Sequence, residues 1–170
     1  MTITEITIAK TDADFAVARA LGFEWVATQL DDFPDYQHII DRVFEPVEYQ
    51  QTMENLPLIH ARPKGAVLLA KLDGEPVGCV MYLELEPGVA EVKRLYVKSS
   101  ARGHRLGHAL LHEMFARMKA DHYSSARFSS AKFLTHARAL YVSVGFTEIP
   151  QPDDLPVFLH DVVYFMQRRL

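Results

Sequence analysis

The spacing of apolar positions changes along this chain, and the changes mark out its elements. From Thr2 to Ala9, Ile3, Ile6 and Ile8 stand among small polar residues, the pattern of a short strand. Phe15, Ala18, Leu21, Gly22 and Trp25 then recur at helical spacing, behind Thr11 or Asp12 as the cap. Between Asp31 and Leu58 the period is lost among Pro34, Pro46, Pro57, acids and aromatics, and one or two short helices followed by a loop to Pro63-Lys64-Gly65 are expected.

From Ala66 the pattern is that of strands. Ala66–Leu72 and Val77–Leu85 are apolar runs, and Asp73-Gly74 between them signals a tight hairpin, because such a turn needs positive φ. Glu86-Pro87-Gly88 makes a second turn into Ala90–Val97. The end of that run, Leu95-Tyr96-Val97, is apolar on both faces and so belongs at the centre of a sheet. Leu106, Leu110, Leu111, Met114 and Met118 lie along one side of a helix ending near Asp121. Ser124–Ser129 reads as a weak strand, Leu134–Val144 as a helix stopped by Gly145 with Phe146 folding back, and Thr147–Ile149 and Val162–Met166 as closing strands. The order predicts an α/β (α+β) fold, a mixed central β-sheet with helices on both faces, in one domain over residues 1–170.

Composition narrows the function classes. A net charge of −4 and a pI near 6.0 argue against a general nucleic-acid binder, so no nucleic-acid partner is expected. Cys79 is the single cysteine, which excludes an intramolecular disulfide and suits a reducing, cytoplasmic location. No apolar run reaches the roughly 18 residues of a membrane span, so no membrane partner is expected either.

The stretch ARGHRLGHAL, Ala101–Leu110, follows the apolar strand end and opens the long helix. A helix N-terminus offers unpaired N–H groups and the positive end of the helix dipole. Glycines at 103 and 107 let a ligand approach the backbone, and Arg102 adds a bidentate donor. The stretch reads as a phosphate cradle. It is neither a nucleotide-hydrolysing P-loop, which needs Lys-Ser/Thr after the glycines, nor a dinucleotide turn with three spaced glycines. A plain nucleotide phosphate binder is a competing reading.

Three motifs in order, AEVKRLYV at Ala90–Val97, RGHRLG at Arg102–Gly107 and ARALYVSVGF at Ala137–Phe146, resemble the GNAT superfamily of N-acetyltransferases, in particular its small bacterial members with an E-V-K-R-L-Y-V type of strand. The resemblance covers about residues 66–149. It implies a splay between the central strands and acetyl-CoA as co-substrate. The backbone amides of Gly103, His104, Arg105, Leu106, Gly107 and His108 would hold the pyrophosphate with Arg102, and the pantetheine arm would pair along Leu95, Tyr96 and Val97. Two positions depart from the pattern: Arg105 stands where the family has glycine, and Leu134 where it often has asparagine.

The activity implied is transfer of an acetyl group to a small-molecule or protein amine by direct attack in a ternary complex, the alternative being a non-catalytic acyl-CoA-binding regulatory module. An amine with a pKa of about 10 is mostly protonated at neutral pH, so a base helps the attack. Glu91, resembling the family's strand-borne glutamate, is the candidate, directly or through water. A main-chain N–H near Leu95–Tyr96 would meet the carbonyl oxygen. Tyr141, four residues before Gly145 as in the family, is the candidate acid for the departing thiolate. His104, His108 and His112 form an i, i+4, i+8 row, but it starts in the proposed pyrophosphate turn and lacks cysteine or glutamate in register, so no metal is expected. Cys79 reads as a small core residue. Acids in Phe23–Leu58 and Ile149–Val163 (Asp31, Asp32, Asp35, Glu45, Glu48, Asp153, Asp154) would suit a cationic amine. Such proteins are often homodimers, yet no stripe in this chain marks a dimer face.

Overall fold

A computed structural model of the chain describes residues 1–170 and builds one seven-stranded sheet. Its strands are β1 (Thr4–Ile8), β2 (Ala66–Leu72), β3 (Glu75–Glu86), β4 (Val89–Val97), β5 (Ser125–Ala131), β6 (Thr147–Ile149) and β7 (Val163–Arg169), in the spatial order β1-β2-β3-β4-β5-β7-β6. The doubly apolar β4 is the middle strand. The β2–β3 turn takes the positive φ that Asp73-Gly74 promised, 52° and 86°. The Asp73 carboxylate also accepts the Ile3 N–H at 2.9 Å, which ties the start of β1 to this turn.

The helices are α1 (Asp12–Asp32), α2 (Gln37–Val43), α3 (Pro46–Glu54), α4 (Leu56–Ile59), α5 (Leu106–Ala120) and α6 (Thr135–Ser143). Thr11 caps α1: its hydroxyl accepts the Asp14 N–H while the Asp14 carboxylate accepts the Thr11 N–H. The region expected to hold one or two short helices holds three, α2 to α4, after a 3-10 turn at Pro34–Tyr36. Pro46 and Pro57 sit in first turns, where the missing N–H removes no helical bond, so they start helices instead of breaking them.

Each sheet face has its own core. On one, Ala18 and Leu21 of α1, Met53 of α3 and Leu56 pack on Val67, Leu69, Cys79 and Met81. On the other, Leu106, Leu110, Leu111, Met114 and Met118 of α5 cover Leu68, Val80 and Tyr82. Full burial of one such side chain stabilises the fold by about 1.5–3 kcal/mol, so α5 is anchored along its whole length. No helix is long and apolar enough to cross a membrane.

The sheet divides at its centre. β4 and β5 are parallel and pair only at Val89–Ser125, Ala90–Ala126 and Glu91–Arg127. β5 instead continues with β7 from Ser125 to Ala131, while β4 stays with β3 as far as Val97, so the two halves fork beyond Glu91. Within the fork, β4 carries a bulge: its register against β3 shifts between Lys93 and Tyr96, and Arg94 adopts φ 51°. The extra residue returns Leu95 and Val97 to the α5 face already used by Val92, while Tyr96 joins the α1 face.

α6 ends in the glycine cap read from the sequence. Gly145 has φ 95°, its N–H donates to the Val142 carbonyl and that of Phe146 donates to the Tyr141 carbonyl. The cap folds Phe146 under the helix, against Tyr141, with ring centroids 5.2 Å apart.

Candidate active site

The fork is a pocket. A cavity of about 250 Å³ lies between Val92–Leu95 of β4 and Phe128–Ala131 of β5, with α1 and α2 forming one wall and the α6 end another. Sixteen of its 21 lining residues are hydrophobic, so a polar group brought there is largely desolvated and its hydrogen bonds are strengthened.

Tyr141 lines this pocket from α6. Its ring is held from two sides, stacked on Phe128 at 3.6 Å and edge-on to Phe146, and its hydroxyl has no hydrogen-bond partner in the protein. Burial, and after it the nearby Tyr164, raise the phenol's pKa above its ordinary value. A group of this kind keeps its proton at neutral pH and yields it only to a strong base.

The start of α5 lies beyond the other end of β4. Gly103 has φ 89° with open space where a side chain would be, and Arg105, the N-cap, is held at φ 55° with no side-chain cap. None of the backbone N–H groups from Gly103 through His108 has an acceptor within the protein. The first turn of α5 contains no acid, and Arg102 and Arg105 are exposed and form no ion pair. The arrangement is complementary to an anion with several oxygens. At Gly107 a Cβ would approach Leu140 Cδ2 to 3.2 Å, so the absent side chain lets α5 approach the helix that carries Tyr141.

Glu91 stands at the closed end of the fork, in the last pair with β5. Its carboxylate pairs with Lys93 Nζ at 2.7 Å, and it is not among the groups lining the pocket. Leu95 lines the pocket, while Tyr96 points to the opposite face, where its hydroxyl meets Thr28 Oγ1 at 3.5 Å. His108 Nε2 contacts Ser143 Oγ at 3.3 Å. Cys79 is fully buried, its Sγ donates to the Arg94 carbonyl at 3.4 Å, and burial pushes its thiol up to about 12.

The seven acids of Phe23–Leu58 and Ile149–Val163 do not line the pocket, and no other carboxylate does. Two lining residues escaped the sequence reading. Arg94 reads as one more charge in a strand, and only the bulge brings it to the wall; Gln29 lies on a helix face whose burial depends on α2.

A model of the acetyltransferase (GNAT) family matches residues 27–146, which spans β4, the α5 turn and α6. The chain belongs to the GNAT family of acetyltransferases. It is 30% identical over 105 residues to an IAA acetyltransferase of Azospirillum brasilense, covering 58% of this chain and 69% of that one. Its fold is shared with a GNAT acetyltransferase structure from Staphylococcus aureus Mu50, at TM-score 0.74 and 20% identity over 98% of this chain and 99% of the other. It is likewise shared with a Thermoplasma acidophilum PaiA N-acetyltransferase structure in complex with coenzyme A, at TM-score 0.68 and 16% identity over 98% and 99%. As a GNAT acetyltransferase, the protein takes its acetyl group from acetyl-CoA. The forked mixed sheet is the frame of this GNAT chain, and the E-V-K-R-L-Y-V strand is its β4.

Proposed function

We propose that the protein acetylates an amine by direct attack on acetyl-CoA, with both substrates bound together. The observation that carries the reading is the Tyr141 hydroxyl, free of protein partners, in a pocket lined by Val92–Leu95 of β4, the strand whose end leads into the turn with the unpaired amides of α5. The pyrophosphate sits on the N–H groups of Gly103 to His108, with Arg102 and Arg105 beside it, and the pantetheine arm runs along Leu95, Tyr96 and Val97, where β4 has no partner on its β5 side. The acetyl end then lies in the apolar pocket.

The amine nitrogen attacks the thioester carbon as a main-chain N–H near Leu95–Tyr96 steadies the oxygen. The C–N bond forms, the C–S bond breaks, and the sulfur takes the Tyr141 proton. The proton lost by the amine passes through water to Glu91, which Lys93 holds at the closed end of the fork. The products are an amide and free coenzyme A.

Two measurements test this. Calorimetry should detect acetyl-CoA binding that is lost when Gly103 and Gly107 are both replaced by valine, and acetyl-CoA with an amine panel should release free thiol. Binding without thiol release from any amine would leave a carrier of acyl-CoA and refute the enzyme; no binding at millimolar acetyl-CoA would refute the cradle as well.

A further inference from the structure

The acceptor side of the pocket carries a charge pattern opposite to the one its flanking sequence suggests. Asp31, Asp32, Asp35, Asp153 and Asp154 are exposed, and none of them reaches the pocket. The charged groups that do line it are Lys93 and Arg94, both cations. Lys93 is matched by Glu91 at 2.7 Å. Arg94 has no acidic partner: it forms no ion pair, its Nε is buried without a partner, and the one polar side chain beside it, the Tyr49 hydroxyl, is neutral. Its guanidinium lies 5.6 Å from the Tyr49 ring centroid.

A second group points the same way. Gln29 of α1 is only 6% exposed, lines the same pocket and leaves its Nε2 without an acceptor. Buried donors without acceptors are costly and uncommon, and two of them on residues lining one pocket are a pair that a bound acceptor would satisfy. The remaining wall is apolar and aromatic, with Trp25, Ile40, Phe44, Phe133 and Leu159. Arg94 also holds an uncommon left-handed conformation for an arginine, which the bulge imposes one residue before the strand segment that faces the reacting carbonyl.

We propose that the acceptor is a small primary amine bearing both an apolar body and a carboxylate, an apolar or aromatic amino acid in chemical class, whose carboxylate is held by Arg94 and Gln29. This rests on the acetyl-transfer reading above. A guanidinium supplies a planar pair of donors that fits a carboxylate, and the amide of Gln29 adds a neutral donor. The apolar wall takes the side chain. A polyamine would bring further positive charge against Arg94 in a pocket holding no acid to offset it.

The test uses the whole protein with acetyl-CoA and matched pairs that differ by the carboxylate: phenylalanine against phenethylamine, leucine against 3-methylbutylamine, with spermidine as the polycation. Thiol release should favour the amino acid of each pair by about tenfold or more in kcat/KM, the scale of one charge-assisted hydrogen bond. Arg94→Gln should bring that ratio close to one, chiefly through the amino acid's KM, while acetyl-CoA affinity by calorimetry stays unchanged. Gln29→Leu, which leaves the β4 bulge untouched, should raise the same KM independently. Equal or better turnover of the carboxylate-free amines or of spermidine would overturn the proposal and leave the acetyltransferase reading intact. So would an Arg94→Gln loss shared equally by both members of a pair. Failure of acetyl-CoA to bind would instead remove the reading on which the proposal stands.

Discussion

Tyr141 lies flat against Phe128, the two rings 3.6 Å apart and 20° from parallel, so the helix carrying the proposed acid is seated on the strand that forms the far side of the fork. Packing of this kind fixes the hydroxyl without using it. Tyr141→Phe keeps both the stack and the edge contact with Phe146. It should lower kcat by about 10²-fold or more, the usual scale of a positioned acid, with the acetyl-CoA dissociation constant and melting temperature close to those of the parent. Stopped-time thiol release and calorimetry on the same preparation check this, and an unchanged kcat would exclude Tyr141 as the proton donor.

Gly107 should show how tightly the cradle and the acid are coupled. A single added methyl meets the tip of Leu140 at 3.2 Å, a flexible group that can yield, and alanine also favours helix. Gly107→Ala should therefore be close to neutral in stability, within about 1 kcal/mol. Gly107→Val, with branches that must push α5 from α6, should lose both acetyl-CoA affinity and turnover. Calorimetry and thiol release on the two variants make the comparison.

Arg105 occupies a left-handed conformation that disfavours side chains by about 1–2 kcal/mol, at the N-cap of α5. Arg105→Gly relieves this and loses part of the gain to the greater freedom of glycine in the unfolded chain. The expected outcome in urea unfolding is no loss of stability and a gain of up to about 1 kcal/mol. Because the backbone amides remain, acetyl-CoA binding should persist, weakened mainly at low salt where the lost charge counts most.

His60 makes the fold sensitive to mild acid. It is 3% exposed, its Nδ1 meets the Tyr82 carbonyl at 2.8 Å, and its Nε2 has no partner. Burial pulls its pKa from 6.5 to about 4. The unfolded chain therefore binds the proton first as pH falls. The stability contribution is complete above pH 6.5 and drains away from there down to about 4. Between pH 7 and 5 the loss is on the order of 2 kcal/mol, measurable as a drop in the urea midpoint. The drop should be much smaller in His60→Asn, and an equal drop in both proteins would assign the acid sensitivity elsewhere.

How far the sequence discloses this molecule depends on whether the relevant physics is local. The Asp73-Gly74 turn, the Thr11 cap, the Gly145-Phe146 ending and the central place of β4 follow from conformational preference and apolar pattern within a few residues, and all are present. The segment from Asp31 to Leu58 was harder because proline breaks a helix inside it and begins one at its edge, and the letters alone do not say which. Motif spacing singles out Tyr141 and the α5 turn, which the fold places in the pocket wall and at the start of α5, while the roles proposed for them rest on the acetyl-transfer reading. Arg94 and Gln29 were not, since a one-residue bulge in β4 and the burial of one face of α1 arise only when distant elements meet. The acids of the flanking segments differ for the same reason: sequence counts them, while folding leaves them outside the cavity, whose charged lining groups are Lys93 and Arg94.

Three residue pairs are all that join β4 to β5 across the middle of a seven-stranded sheet. Mechanically the domain is two plates sharing a short seam. On the proposed binding mode, the pantetheine arm lying in the gap supplies the missing rungs, so the loaded protein would be stiffer than the empty one. The first substrate to arrive would then brace the scaffold in which the second is aimed.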